Sequence, residues 1–192
     1  MRIVTELQII PFESASIWEQ WLLQNHGDER GIWMQLAKKA SGIVTVTYDE
    51  ALDVALCYGW IDGQRKSQDN DFFLQRFTPR RSKSLWSKRN VAKVLNLIEA
   101  NRMQPAGLAE VEAARQDGRW QAAYDSSKDM VIPEDFLLAL QPNEKAAAFF
   151  ATLNKTNLYA IAWRLHTAKT PETRSRRLGA LLEMLENGEK FH

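Results

Sequence analysis

The chain has 192 residues, is 45% hydrophobic and 26% charged, and carries a net charge of +1. Those values exclude a disordered polyelectrolyte, and the length suits one ordinary domain or a domain with a smaller appendage. A lone cysteine, Cys57, permits no internal disulfide, and no window approaches the roughly 18 apolar residues of a membrane span. With no signal-like apolar core in MRIVTELQIIPF, a cytoplasmic protein without membrane insertion is expected.

Glu6 to Phe12 reads as a short strand closed by Pro11. Ser14 or Ser16 caps a helix whose Ile17, Trp18, Trp21 and Leu22 make one apolar stripe, ended by His26-Gly27. Gly31 to Lys38 has the apolar density of a strand, and Lys39 to Gly42 is a turn. Thr47 with Glu50 forms a capping box, and the helical period then runs to Gly59. Trp60 to Arg65 and Phe72 to Thr78 pair as a hairpin around the polar Gln68 to Asp71. Phe73, Gln75 and Phe77 then share one face, with Phe72, Leu74 and Arg76 on the other.

Ser82 or Ser84 is expected to cap a long helix to about Arg102, burying Trp86, Val91, Val94, Leu95 and Ile98. Gln104-Pro105 breaks it, and Ala106 to Gln116 is a further helix stopped at Gly118. Gln121 to Ile132 lacks periodicity and reads as a linker. Helices follow over Asp135 to Leu140, from Asn143 to Leu153, after Asn154 or Thr156, and from Thr170-Pro171 with a stripe of Leu178, Leu181, Leu182 and Leu185.

Positive charge is concentrated. Between Gln64 and Lys93 nine Lys or Arg face only Asp69 and Asp71, so an anionic partner is favoured. Arg80-Arg81 ahead of a Ser84-capped helix start would form an anion site, because free N–H groups and the positive helix end converge there. Asn90 is placed toward the same side, Trp60 and Trp86 wall the pocket, and Asp62 orients an arginine or acts as an acceptor. Asp62 and Arg76 pairing across the hairpin, with Ser84 as a simple cap, is the plainer alternative. Among catalytic signatures, His26, His166 and His192 stand too far apart for a zinc or Ser-His-Asp site, and no Gly-rich phosphate loop is present. Cys57, on an apolar helix face, reads as a buried thiol. Arg174, Arg176 and Arg177, with Lys169 nearby, form a second basic patch that suits solvent, with contact to an acidic partner or nucleic acid as the alternative.

The run YDEALDVALCYGWIDGQRK, then FLQRFTPRRSKSLWSKRN and RMQPAG, with AIAWRLHTAKTPETRSRRL in the tail, resembles the YdeI/OmpD-associated family of bacterial proteins over residues 16–188. Its names refer to bacteriocin protection and to association with an outer-membrane porin. The resemblance implies an α+β fold: a small antiparallel sheet packed with helices over residues 1–125, then a helical C-terminal domain over 126–192. By motif match it carries over Glu50, Gly59, Trp60, Asp62, Arg76, Thr78, Pro79 and Arg80, then Ser84, Trp86, Ser87 and Asn90. Thr173, Arg174 and Arg177 match in the tail. The expected ligand-binding set is therefore Trp60, Asp62, Arg76, Arg80, Ser84, Trp86, Ser87 and Asn90, with no catalytic residue assigned, no metal and no cofactor. A stress-tolerance or binding protein holding a small anionic ligand is the leading expectation. An enzyme using Asp62 with Arg80, a nucleic-acid module, an iron-binding protein and a protein-partner scaffold are the alternatives.

Overall fold

The computed structural model describes residues 7–126 and 129–192. Glu6, from the expected first strand, and Ser127 and Lys128 of the expected linker lie outside them. Two compact units emerge, one from residues up to 86 together with 90–123, the other from 87–89 together with 124–192.

The first unit opens with β1 (Ile9–Pro11), α1 (Ala15–Asn25) and β2 (Ile32–Ala37), followed by α2 (Tyr48–Cys57) and the hairpin β3 (Trp60–Ser67) and β4 (Phe72–Pro79). The sheet order is β1-β2-β4-β3. It is mixed rather than wholly antiparallel: β1 runs parallel to β2 because α1 carries the chain back across before β2 begins. The other two pairings are antiparallel. The α+β class stands.

Alternation in β2 places Ile32, Met34 and Leu36 in the core, with Trp33, Gln35 and Ala37 on the opposite face. Phe73 and Phe77 of β4 join that core, where Trp18 and Leu22 of α1 and most of α2 meet them. Trp18 donates its indole N–H to the Ala51 carbonyl at 3.0 Å, and Trp60 donates to the His26 carbonyl at 2.8 Å. Each indole therefore buries its ring without stranding a donor. Ser14 caps α1, and the Thr47–Glu50 capping box opens α2. The strand register slips between Asp62 and Arg65, and buried Gln75 fills the gap by donating to the carbonyls of Gly63 (2.9 Å) and Gln64 (3.3 Å).

The helix α3 covers Lys88–Glu99 and α4 covers Pro105–Gln116. The expected start of α3 at Ser82 or Ser84 is incorrect: Ser84 Oγ instead accepts from the Arg81 backbone N–H at 3.0 Å, closing a turn upstream of the helix. Leu95 is 47% exposed rather than buried, while Val94 and Leu97 take the inner positions. The start of α4 packs against the end of α2 at Gly107, where a Cβ would lie 2.2 Å from the Cys57 carbonyl oxygen. No side chain fits there.

The second unit holds α5 (Glu134–Leu140), α6 (Glu144–Phe150), α7 (Lys155–His166) and α8 (Pro171–Glu186) around a core of its own that includes Phe136, Ile161, Leu165, Leu181 and Leu185. Asn143, Asn154 and Thr170 accept backbone N–H bonds as the N-caps of α6, α7 and α8. Among the described residues no helix is long and apolar enough to cross a membrane.

Candidate functional site

The FTPRRSKSLWS stretch divides as soon as β4 ends. Arg80 is only 6% exposed. Its backbone N–H bonds the Gly59 carbonyl at 2.9 Å, its Nη1 donates to the Leu85 carbonyl at 3.2 Å, and its guanidinium lies 3.5 Å over the Trp86 ring. Trp86 packs edge-on against Trp120 at 4.8 Å, and Arg115 lies 5.2 Å over Trp120. Arg119, also buried, bonds the Asp117 carboxylate at 2.6 Å and the Ser84 carbonyl at 3.0 Å. Two edge-on indoles, Trp86 and Trp120, are flanked by Arg80 and Arg115, which lets charged groups leave water with compensation from π-faces and carbonyls. Arg80, Ser84 and Trp86 are thus brought together, but as a packed turn. The open helix start expected behind them is absent.

The remaining expected residues separate. Trp60 is fully buried in the aromatic core against Trp18 and Trp21, so it walls no pocket. Asp62 accepts from the Tyr48 hydroxyl at 2.7 Å and pairs with no cation among the described residues. The anticipated Asp62–Arg76 pair does not form: strand register sets Asp62 opposite Phe77, on the side of the sheet away from Arg76. Asp62 and Arg80 are likewise not joined. Asn90 is buried on α3, and Ser87 forms a backbone bridge with Tyr124.

Arg76 goes elsewhere. It shares the face opposite the core with its cross-strand partner Trp33. Its Nη2 donates to the Arg30 carbonyl, and its guanidinium is 5.8 Å from the Trp33 ring centre. Lys66, the partner of Leu74 in β3, sets its ammonium 4.4 Å over the same ring. Leu74, on the same face, is only 3% exposed yet belongs to neither core cluster. Burial, and then repulsion from nearby Arg81, hold the Arg76 pKa below its ordinary value. Among the described residues, no carboxylate forms a salt bridge with Lys66, Arg76 or Arg81.

Trp33 was missed because it lies outside the conspicuous motifs, and Lys66, which ends the GWIDGQRK run, was counted only as one of nine charges. The signal that finds them is alternation: once Ile32 and Met34 face the core, Trp33 must face away. No group of three or more His, Cys, Asp or Glu able to hold a metal occurs among the described residues. Burial pushes the Cys57 thiol up to about 11, which keeps it protonated and unreactive near neutrality.

The first unit's sequence from residue 10 to 110, more than half of the chain, matches the profile of a domain of unknown function, DUF8412. The chain belongs to that family. In this DUF8412 protein the helical tail, residues 129–188, matches a second profile, described as Bacteriocin-protection, YdeI or OmpD-Associated. The resemblance drawn from sequence to the YdeI/OmpD-associated proteins is thereby supported over the tail, while the GWID and FTPRRSKSLWS motifs fall within the DUF8412 match. No curated protein and no solved structure matches the chain.

Proposed function

We infer that this DUF8412 protein is a non-catalytic, cytoplasmic binding protein acting in stress tolerance, and that the sheet face opposite its core receives a small anionic ligand. The observation that carries this is the cluster of Lys66 and Arg76 over Trp33, with the Arg81 charge acting on Arg76 and no salt bridge to any of the three among the described residues. An anion placed among them relieves the repulsion between Arg76 and Arg81, and Trp33 offers a flat surface for the organic part of the ligand. Arg80 and Trp86 act in this scheme as the support that fixes where Arg81 leaves the sheet.

The test is a thermal-shift titration with inorganic phosphate, a nucleoside monophosphate and citrate. Binding to the folded state alone stabilises by about 2.7 kcal/mol at a hundredfold excess over Kd. Arg76→Ala is expected to abolish the shift. An Arg76→Ala protein that keeps all of it removes this site from consideration. A second reading, single-stranded nucleic acid, is favoured by the aromatic ring flanked by cations on an open sheet face. It predicts oligonucleotide affinity that falls steeply with salt, whereas a single small anion gives a shallow slope.

A further inference from the structure

The helical unit contains a cavity of about 420 Å³ that is lined by Trp163 and Arg164 of α7, Arg177, Leu181 and Met184 of α8, and Phe191. Its size falls within the range of small-molecule sites. Its floor is apolar, with Leu181 almost fully buried. The Phe191 wall is fixed by Asn157, a 1%-exposed side chain whose Oδ1 accepts from the backbone N–H groups of Phe191 (3.0 Å) and His192 (3.2 Å).

Two cations line this cavity, and neither forms a salt bridge among the described residues. Arg164 stacks 3.6 Å over Phe191 while its Nη1 bonds the Ala160 carbonyl. Arg177 uses Nη1 to cap the end of α7, donating to the Arg164 carbonyl at 2.7 Å and the Thr167 hydroxyl at 3.3 Å. Its Nε and Nη2 bond no atom among the described residues. One turn earlier on the same helix Arg174 behaves differently: it caps the Leu165 carbonyl and is also held by both oxygens of Asp135. Capping alone therefore accounts for Arg174, whose charge is balanced. It leaves the Arg177 charge, and two of its three guanidinium nitrogens, without a partner among the described residues, on a side chain that lines a cavity with no acid in its lining.

We propose that this cavity binds a small amphipathic carboxylate, whose apolar body lies on Leu181, Met184 and Trp163 and whose carboxylate pairs with Arg177 and Arg164. The site is separate from the sheet face, and nothing in it depends on an anion binding there.

The experiment uses the full chain, octanoate as the probe and octanamide as its neutral isostere, followed by NMR of the tryptophan indole N–H signals. Octanoate is expected to shift the Trp163 indole signal saturably, with octanamide at least about tenfold weaker, because a charge-assisted fork is lost. Arg177→Gln is expected to weaken octanoate by about the same factor and to leave octanamide unchanged. Arg164→Gln serves if the Arg177 variant does not fold, and Arg76→Ala must leave octanoate binding intact. Equal affinity for acid and amide, or a Trp163 signal that does not respond, overturns the proposal. Loss of phosphate stabilisation in Arg76→Ala with octanoate binding retained bears only on the sheet face.

Discussion

Arg76 and Arg80 lie four residues apart in one chain, and the fold treats them in opposite ways. Arg80 is drawn under the turn that follows β4, stacked on Trp86 and anchored by carbonyls. Arg76 projects over the open sheet face beside Trp33, Lys66 and Arg81. Pro79 ends the strand, and the Arg80–Gly59 backbone bond turns the chain back toward the end of α2. Basic residues that look like one patch in the sequence are therefore split by that turn into a scaffold and a surface. A positive run identifies a binding site only after the buried members have been subtracted.

The largest effect tests the scaffold side. Trp86→Ala removes a 2%-exposed indole that touches both Arg80 and Trp120, and is expected to cost about 3–5 kcal/mol in urea unfolding. Arg80→Ala is expected to cost about 2–3 kcal/mol, from the lost cation–π contact and the lost carbonyl bond. If Arg80→Ala is as stable as the parent protein, the division between scaffold and surface arginines collapses.

Most elements were legible because their signals are local. The Thr47–Glu50 box, the Asn154 and Thr170 caps and the Phe72 to Thr78 alternation each depend on a few neighbouring residues. The start of α3 was not legible. Ser84 has the right chemistry for a cap, but the turn closed by its own Oγ and the edge-on tertiary contact of Trp86 with Trp120 draw residues 81–87 out of the helix. Leu95 was misplaced because tertiary packing buries the Asn90, Val94 and Leu97 stripe of the helix, and its alternative stripe through Val91, Leu95 and Ile98 is equally apolar in the sequence. In the candidate site, Arg76 was visible as a charge, whereas its neighbours Trp33 and Lys66 come from other strands, and register is set by the bulge after Asp62. Asn157 carries no local signal of its role, because its partners Phe191 and His192 stand more than thirty positions away.

A third arrangement, an arginine balanced by a surface carboxylate, gives an intermediate effect. The Arg174 hydrogen bonds are the main cause holding the Asp135 pKa below its ordinary 3.8. A depressed carboxyl contributes stability above its unfolded value and loses it as pH falls through the lower folded value. Asp135→Asn is therefore expected to be less stable than the parent by at most about 1 kcal/mol at pH 7, since both side chains are partly exposed. The difference should stay flat down to about pH 5 and shrink toward zero below pH 4. A difference that persists undiminished in acid would assign the loss to packing rather than to the ion pair.

The smallest effect is the most specific to the open face. Arg81 is exposed, and its charge is one of the two causes that lower the Arg76 pKa. Removing it in Arg81→Ala relieves like-charge repulsion without opening a core, so stability should change by no more than about 0.5 kcal/mol, and in the stabilising direction. Because Arg81 is exposed and Arg76 only half-buried, the gain should fade as the salt concentration approaches about 1 M. Urea midpoints at low and high salt supply both readings. A loss of more than about 1 kcal/mol that is indifferent to salt would place Arg81 with Arg80 in the scaffold, since only a packed residue resists screening. The expected pattern is a slight gain in stability together with weaker phosphate binding. That pairing is the signature of a charge kept for a ligand, because the free protein is better off without it.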